Sequence, residues 1–304
     1  MRSGSHSGGP NGQLSSSQTE EQNRDLRRGP FELYIVGLGS RGENGITSEA
    51  KEVLQKAQVA VGYKLYLDQA APFLNPTTRR LGSGMTAETQ RAREALELAL
   101  QGEIVAIVSG GDPGIYAMAG VVFEVAHQQK LPLGQGPGEL NITVISGTPA
   151  LAVGAALLGA PLTHDFCAIS LSDRLTDWEL IQKRLRLASL GDFVIVLYNP
   201  RSHGRDWQLG EAKKILLENL SPTTPVGLAS RCGRPGETTQ IVTLEELNPE
   251  LVDMQTLVII GNSTTFIYRG YLITPRGYLK KYGTPKGNQL TEKTLDTEKT
   301  LDQA

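Results

Sequence analysis

A single carboxylate follows a glycine pair in residues 103–116, which read EIVAIVSGGDPGIY. The apolar first half predicts a buried strand of a parallel sheet, and the following AMAGVVFEVAHQ predicts a helix. Two glycines allow close approach of the backbone, and Asp112 comes directly after them. Open α/β sheets bind ligands at this carboxyl end of their strands. The alternative is an ordinary glycine-rich turn in which Asp112 caps the helix.

The first predicted loop contains a second glycine pattern. Gly37, Gly39 and Gly42 match GxGxxG after an apolar run, as in dinucleotide-binding domains. Residues 43–46 separate the third glycine from the predicted helix start at Thr47 or Ser48. The second predicted strand also ends without the acidic residue that would bind a ribose. The pattern therefore predicts a close backbone contact, with a ligand or with a neighbouring turn, and not an NAD(P) domain. No P-loop motif occurs either.

Composition excludes several classes of protein. The 304 residues suffice for two medium domains, and 30 Lys and Arg nearly balance 32 Asp and Glu without a basic cluster. We therefore expect binding to neither nucleic acid nor an anionic membrane. Cys167 and Cys232 form no CxxC pair, and the four histidines lack metal-ligand spacing, so no metal site is predicted. No apolar run reaches the ~18–20 residues that span a bilayer. These features predict a soluble, cytoplasmic protein.

The order of predicted elements indicates two α/β domains. Strands alternate with helices over residues 31–161, which predicts a parallel sheet covered by helices. Strands outnumber helices towards the end of residues 162–280, which predicts a mixed sheet. Residues 1–30 are predicted to be a disordered tail and residues 281–304 a second polar tail.

Six motifs occur in an order that resembles the tetrapyrrole (uroporphyrin-III/corrin/porphyrin) methyltransferases of the cobalamin pathway. They are YIVGLGSRG, VSGGDPGIY, VISGTPALAVGAALLGAPL, VLYNP, PVGLASRCGRPGE and VIIGN. Four further segments, VGYKLYLD, LTHDFCAISLSD, YNPRSHGRDWQL and TPRGY, are similar to the branch of that family that methylates carbon 17 and contracts the ring. The resemblance covers residues 33–278.

The resemblance implies a two-domain tetrapyrrole methyltransferase-like α/β fold with S-adenosylmethionine (SAM) in a cleft between the domains, and a homodimer. The expected reaction is methyl transfer to carbon 17 of precorrin-3B or cobalt-factor III, with ring contraction to precorrin-4 or its cobalt form. The implied cofactor contacts are Gly110, Gly111, Asp112, Ile115, Pro149, Ala150, Tyr198, Asn199, Ala229 and Cys232. Cys232 is expected to be a small lining residue and not a nucleophile.

A tetrapyrrole substrate with several carboxylates requires donors and cations. The candidate substrate contacts are Gly39, Ser40, Arg41, Gly42, Arg201, His203 and Arg205. Arg41 departs from the family's usual GPG loop, and it either pairs with a substrate carboxylate or is a solvated loop arginine. Pro149 also departs from the family pattern, in which a hydroxyl-bearing residue precedes Ala150, and Thr148 is the alternative contact.

Ring contraction requires proton transfer at a substrate hydroxyl and a carbonyl. The candidate acid–base residues are Tyr63, His164 and Asp165. His164 has a second interpretation, as a hinge or capping residue after the preceding helix. Two other functions stay open: a non-catalytic tetrapyrrole-binding protein on the same fold, and a methyltransferase acting at another ring carbon.

Overall fold

The computed structural model of the protein describes residues 30–84, 86–202 and 204–283. The two predicted tails lie almost entirely outside these residues, as does the predicted substrate contact His203. The described chain divides into two compact units. The first comprises the chain up to Leu157 together with Leu228–Thr239 and Val252–Leu257. The second comprises Leu158–Gly227, Gln240–Leu251 and the chain from Val258 onwards. The first unit is therefore discontinuous in sequence.

A five-stranded sheet forms the centre of the first unit, in the order β3-β2-β4-β1-β5. Its strands are β1 Phe31–Gly37, β2 Val59–Tyr63, β3 Arg79–Ser83, β4 Val105–Ser109 and β5 Leu140–Ile145. Every described pairing in it is parallel, which the alternation of strands and helices predicts. The carboxyl ends of the strands therefore lie along one edge of this sheet.

Five helices follow the strands of this unit: α1 Ser48–Lys56, α2 Lys64–Ala70, α3 Glu88–Leu100, α4 Met118–Gln128 and α5 Ala150–Leu158. Successive side chains of a strand point to opposite faces of the sheet. Val36 accordingly packs into a core with α1 and α2, whereas Leu33 and Ile35 pack into a second core with α3 and α4. Helices thus cover both faces of the sheet.

The sequence patterns predict some of these elements and miss others. Thr47 caps α1, because its side-chain oxygen accepts a 3.1 Å hydrogen bond from the backbone N–H of Ala50. Two elements of this unit were not predicted from the sequence, namely helix α2 and the edge strand β3. The strand β3 reads RRLGS and is largely exposed, so it lacks the apolar run that marks its neighbours.

A second five-stranded sheet lies in the later part of the chain, in the order β10-β9-β11-β8-β7. Its strands are β7 Phe166–Ser170, β8 Val194–Tyr198, β9 Pro225–Ser230, β10 Thr238–Thr243 and β11 Thr256–Ile260. The pair β7–β8 is parallel and the pair β8–β11 antiparallel. The mixed sheet predicted for this part of the chain is therefore confirmed. Helices α6 Trp178–Leu190 and α7 Gln208–Leu217 accompany it.

A small third sheet has the order β12-β13-β6. It consists of β6 Gly159–Ala160 and the antiparallel hairpin of β12 Phe266–Tyr268 and β13 Tyr271–Ile273. A short helix, α8 Tyr278–Tyr282, follows it. Within the described ranges, no helix combines the length and apolar character needed to cross a bilayer.

Candidate functional site

Three loops meet at the carboxyl edge of the first sheet, because β4, β1 and β5 are neighbours. Gly39 and Gly111 exchange backbone hydrogen bonds of 3.1 and 3.4 Å. The backbone N–H of Ser40 donates to the carbonyl of Thr148 at 3.0 Å. The loops after these three strands therefore form one hydrogen-bonded surface.

Close packing of these loops requires glycine at two positions. A Cβ atom on Gly37 would lie 2.7 Å from the carbonyl oxygen of Gly111 and 2.7 Å from the backbone nitrogen of Gly147. A Cβ on Gly147 would lie 2.7 Å from the backbone nitrogen of Gly39 and would also collide with the Gly111 carbonyl. The close backbone contact predicted for the first loop is thus made with the neighbouring turns. Gly147 was missed at the sequence level, although a glycine follows each of these three strands.

The carboxylate of Asp112 connects two of the loops. One oxygen, Oδ1, accepts a 2.8 Å hydrogen bond from the backbone N–H of Gly114, and Oδ2 accepts one of 3.2 Å from Gly147. Helix α4 begins only at Met118, with Ala117 as its N-cap residue. The interpretation of Asp112 as a helix cap is therefore wrong. Asp112 is half-buried, and a carboxylate has about four acceptor positions, so it retains capacity for a ligand donor.

Other predicted cofactor contacts adjoin the same turn. A Cβ on Gly111 would lie 3.9 Å from the backbone nitrogen of Ala150 and 4.0 Å from Cα of Pro149. The backbone N–H of Ile115 donates to the carbonyl of Asp112 at 3.3 Å. The structure thus brings together the predicted contacts from the loops after β4 and β5.

Two tyrosines border the glycine pair. Tyr63 ends β2, and its ring meets the ring of Tyr66 edge-to-face with centroids 5.7 Å apart. A Cβ on Gly110 would lie 2.5 Å from Cε1 of Tyr66. The predicted acid–base residue Tyr63 therefore lies at the same sheet edge as the glycine turn. Tyr66 was not predicted, and the aromatic spacing in YKLY directly after a strand is the signal that identifies it.

Ala229 and Cys232 belong to the same unit as the glycine turn, although they lie far along the chain. Both pack against α5, since a Cβ on Gly154 would lie 3.3 Å from Cβ of Ala229 and 3.7 Å from Sγ of Cys232. Ala229 is fully buried, and burial raises the pKa of the Cys232 thiol. A buried, protonated thiol supports the small-lining-residue interpretation of Cys232.

The predicted substrate loop, Gly39 to Gly42, also lies beside this second segment. A Cβ on Gly233 would collide with Ser40 and Arg41. Arg41 is exposed, and no described residue forms an ion pair with its guanidinium. Its role as a partner for a substrate carboxylate stays a prediction.

The remaining predicted cofactor contacts lie in the second unit. Tyr198 ends β8, and Asn199 follows with a left-handed backbone at φ 51°. The side-chain amide of Asn199 donates to Oγ of Ser170 at 2.9 Å, and the backbone N–H of Leu171 donates to the carbonyl of Tyr198 at 2.9 Å. These bonds hold the turn at the carboxyl ends of the parallel strands β7 and β8.

The two arginines predicted as substrate contacts in this unit are engaged with backbone carbonyls. Arg201 donates from Nη1 to the carbonyl of Pro249 at 3.1 Å. Arg205 donates from Nη1 to the carbonyl of Asn199 at 2.9 Å and is only 7% exposed. Burial lowers the pKa of its guanidinium. Arg205 thus lies behind the Tyr198–Asn199 turn and is not open to solvent.

His164 and Asp165 lie at the amino-terminal end of β7, whereas the Tyr198–Asn199 turn lies at the carboxyl ends of β7 and β8. They precede β7, so its five residues, or about 16 Å of extended strand, separate them from the Tyr198–Asn199 turn. His164 accepts a 2.8 Å hydrogen bond at Nδ1 from the backbone N–H of Asp165. Arg276 lies 3.7 Å from the Asp165 carboxylate. Both interpretations of His164 stay predictions.

A profile of the family described as Tetrapyrrole (Corrin/Porphyrin) Methylases matches residues 32–248. The chain belongs to this family. It is 44% identical to a probable cobalt-factor III C(17)-methyltransferase of Salmonella typhimurium, over 81% of this chain and 99% of the relative. It is 42% identical to a precorrin-3B C(17)-methyltransferase of Sinorhizobium sp, over 81% of this chain and 96% of the relative.

Solved structures agree with the family assignment. The crystal structure of the methyltransferase CobJ matches with a TM-score of 0.75 and 36% identity, covering 80% of this chain and 99% of that one. The cobalt precorrin-4 methyltransferase CbiF, at 20% identity and a TM-score of 0.59, shares the fold. The family and fold class expected from the motifs are therefore confirmed, as is the expectation of a methyltransferase. Among the described residues, no cluster of His, Cys, Asp and Glu could hold a metal ion.

Proposed function

We propose that this protein transfers a methyl group from SAM to carbon 17 of precorrin-3B or cobalt-factor III and contracts the ring to precorrin-4 or its cobalt form. The observation that carries the proposal is the similarity to two proteins named C(17)-methyltransferases. The identities of 44% and 42% extend over 99% and 96% of those relatives. A similarity of that extent covers the segments that would recognise the substrate as well as those of the fold.

We place SAM at the carboxyl edge of the first sheet. When bound, SAM supplies an electrophilic methyl group on a sulfonium. The Asp112 carboxylate would accept a hydrogen bond from a ligand amino or hydroxyl group, since each of its oxygens binds one backbone N–H. Gly110, Gly111, Pro149 and Ala150 are small and partly exposed, so their backbone groups are within reach of a ligand. Ile115, Tyr198, Asn199, Ala229 and Cys232 complete the proposed set by resemblance.

The protein's contribution to the reaction is mainly positioning and the exclusion of water. Arg41 is exposed beside the glycine turn, and it would pair with a peripheral carboxylate of the tetrapyrrole. Tyr63 is the proton-transfer candidate that lies at the same edge of the sheet as Gly110. The ring of Tyr66 contacts Tyr63 and lies beside Gly110. His164 and Asp165 are not included among the proposed proton-transfer residues, since they lie at the amino-terminal end of β7, away from the Tyr198–Asn199 turn.

The test is to supply SAM with precorrin-3B and, separately, with cobalt-factor III, and to follow the products by mass spectrometry. Gain of a single methyl group with one substrate supports the proposal and shows whether cobalt is present at this step. Binding of both corrinoids without any methyl gain would instead indicate the non-catalytic alternative.

We also propose that the protein acts as a homodimer in the cytoplasm. The hairpin β12–β13 supports a dimer, because Phe266, Tyr268 and Tyr271 share one of its faces and are between 45% and 57% exposed, and exposed apolar surface is typical of interfaces. The two unpaired cysteines fit a reducing compartment. Sedimentation of the unmodified protein and of Tyr268→Asp tests the dimer; an unmodified protein that sediments as a monomer would contradict it.

A further inference from the structure

Arg205 is an unusual buried cation. It is 7% exposed, and none of the ion pairs among the described residues includes it. Its Nε atom is buried without a hydrogen-bond partner in the described part of the chain. A buried guanidinium without a carboxylate partner is costly. Its position therefore requires an explanation other than stability alone.

The one hydrogen bond from the Arg205 guanidinium to a described residue leads to the proposed cofactor turn. Nη1 donates to the carbonyl of Asn199 at 2.9 Å. Asn199 has a left-handed backbone, with φ of 51°, a conformation that asparagine adopts more readily than most residues and that the bond from Arg205 reinforces. Its side chain is fixed separately by Oγ of Ser170 at 2.9 Å. Arg205 thus fixes the main chain of Asn199, and Ser170 fixes its side chain.

The loop around Arg205 is held by hydrogen bonds of its own. Ser202 and Arg205 exchange backbone hydrogen bonds of 2.9 and 3.0 Å, which close a tight turn. Beside it, Gln208 is 1% exposed and donates to the carboxylate of Asp173 at 3.0 Å. Asp173 in turn interacts electrostatically with Arg205. The turn thus fixes the backbone of Arg205, and the hydrogen bond to Asn199 fixes the end of its side chain.

We propose that Arg205 is a positioning residue, which holds the Asn199 carbonyl and thereby keeps the Tyr198–Asn199 turn in the conformation that binds the cofactor. The proposal rests on the proposed function, in which this turn contacts SAM. It assigns Arg205 a role different from direct substrate contact. The planar guanidinium suits this role because it directs its donors in a fixed fork.

The experiment uses the full-length protein and S-adenosylhomocysteine as the probe. Calorimetry would measure its Kd for the unmodified protein and for Arg205→Ala, Arg205→Lys and Ser170→Ala. Arg186→Ala is the matched control, since the Arg186 side chain pairs with exposed Glu218 and donates to Gln182 on its own helix, both in the same unit. For each variant, the KM for the tetrapyrrole at saturating SAM and the melting temperature would also be measured.

We expect Arg205→Ala to weaken binding of the probe at least tenfold while leaving the tetrapyrrole KM unchanged. Arg205→Lys should bind the probe more tightly than Arg205→Ala does, and it tests the proposal if the alanine variant does not fold. Arg186→Ala should bind like the unmodified protein.

A higher tetrapyrrole KM with unchanged probe affinity would overturn the proposal in favour of direct substrate contact. A lower melting temperature with both constants unchanged would overturn it in favour of a purely structural role. If the unmodified protein fails to bind the probe, the proposed cofactor itself is wrong.

Discussion

The Asp112 carboxylate accepts a hydrogen bond from the backbone N–H of Gly147, 35 residues further along the chain, at 3.2 Å. Its other oxygen accepts one from Gly114 at 2.8 Å. The same carboxylate that the motif marks as a cofactor contact therefore also joins the loops after β4 and β5. Under the proposed function, cofactor binding and the order of this edge of the sheet are therefore coupled through one side chain.

Removal of this carboxylate should affect both properties. We expect Asp112→Ala to lower the free energy of unfolding by about 2–4 kcal/mol, because two hydrogen bonds to a charged acceptor are lost, and to weaken S-adenosylhomocysteine binding at least tenfold. Asp112→Asn should lose less, since it keeps one acceptor oxygen. Denaturant titration and calorimetry measure the two effects. Asp68→Ala, at an exposed position of α2, is the control, and unchanged affinity in Asp112→Ala would refute this assignment.

A matched pair of glycine substitutions tests the packing of the loops. Gly147→Ala places a Cβ against the backbone of Gly111 and Gly39, whereas a Cβ on Gly120 in α4 meets no atom within 4 Å. We expect Gly147→Ala to destabilise the protein by about 2–4 kcal/mol, because backbone must move, and to abolish probe binding. Gly120→Ala should stabilise it by up to about 1 kcal/mol through helix propensity. Equal melting temperatures for the two variants would show that the loops do not pack this closely.

Arg91 should be a structural arginine of the first unit. It is 4% exposed, and it donates to Oγ of Ser83 and to the carbonyl of Gly84, both at 2.9 Å. We expect Arg91→Ala to cost about 2–4 kcal/mol of stability, since packing, these two hydrogen bonds and a weaker one to Sδ of Met118 are lost. Arg93 is an exposed neighbour, and Arg93→Ala should change the free energy of unfolding by less than about 0.5 kcal/mol. Chemical denaturation of both variants checks this, and similar values for the two would contradict the contacts described.

The two thiols should be unreactive in the folded protein. Burial raises the pKa of Cys167 to about 11 and also raises that of Cys232. Because the thiolate is the reactive form, labelling by a disulfide reagent at about pH 7.5 should be slow in buffer and fast in denaturant. For Cys167, measured in a Cys232→Ser variant, the rate should rise about tenfold per pH unit until the pH approaches 11. Rapid labelling of the folded protein would show that the thiols are accessible and ionised.

The sequence predicts most of the first sheet, because buried parallel strands are short apolar runs between helices with capping residues such as Thr47. The exposed strand β3 was missed because its arginines are typical of an edge and give no apolar signal. Prediction of the candidate site is limited in a similar way. The motif around Asp112 was recognisable locally, but the partner Gly147 depends on which strands are adjacent.

The contacts between residues that are distant in sequence could be described only from the structure. Nothing local indicates that Ala229 and Cys232 pack against α5 in the first unit, since that contact depends on the path of the whole chain. His164 and Asp165 have suitable chemistry for proton transfer, yet the direction of β7 places them away from the Tyr198–Asn199 turn. Residue type and spacing therefore predict candidates, while strand direction decides which of them share an edge.

The most direct test of the account is to locate the transferred methyl group. The protein would be incubated with SAM carrying a ¹³C-labelled methyl group and with whichever of precorrin-3B or cobalt-factor III it converts, and the product examined by NMR. We expect the label on carbon 17 of a ring-contracted product. A label on another ring carbon, or no transfer to either substrate, would contradict the proposed function.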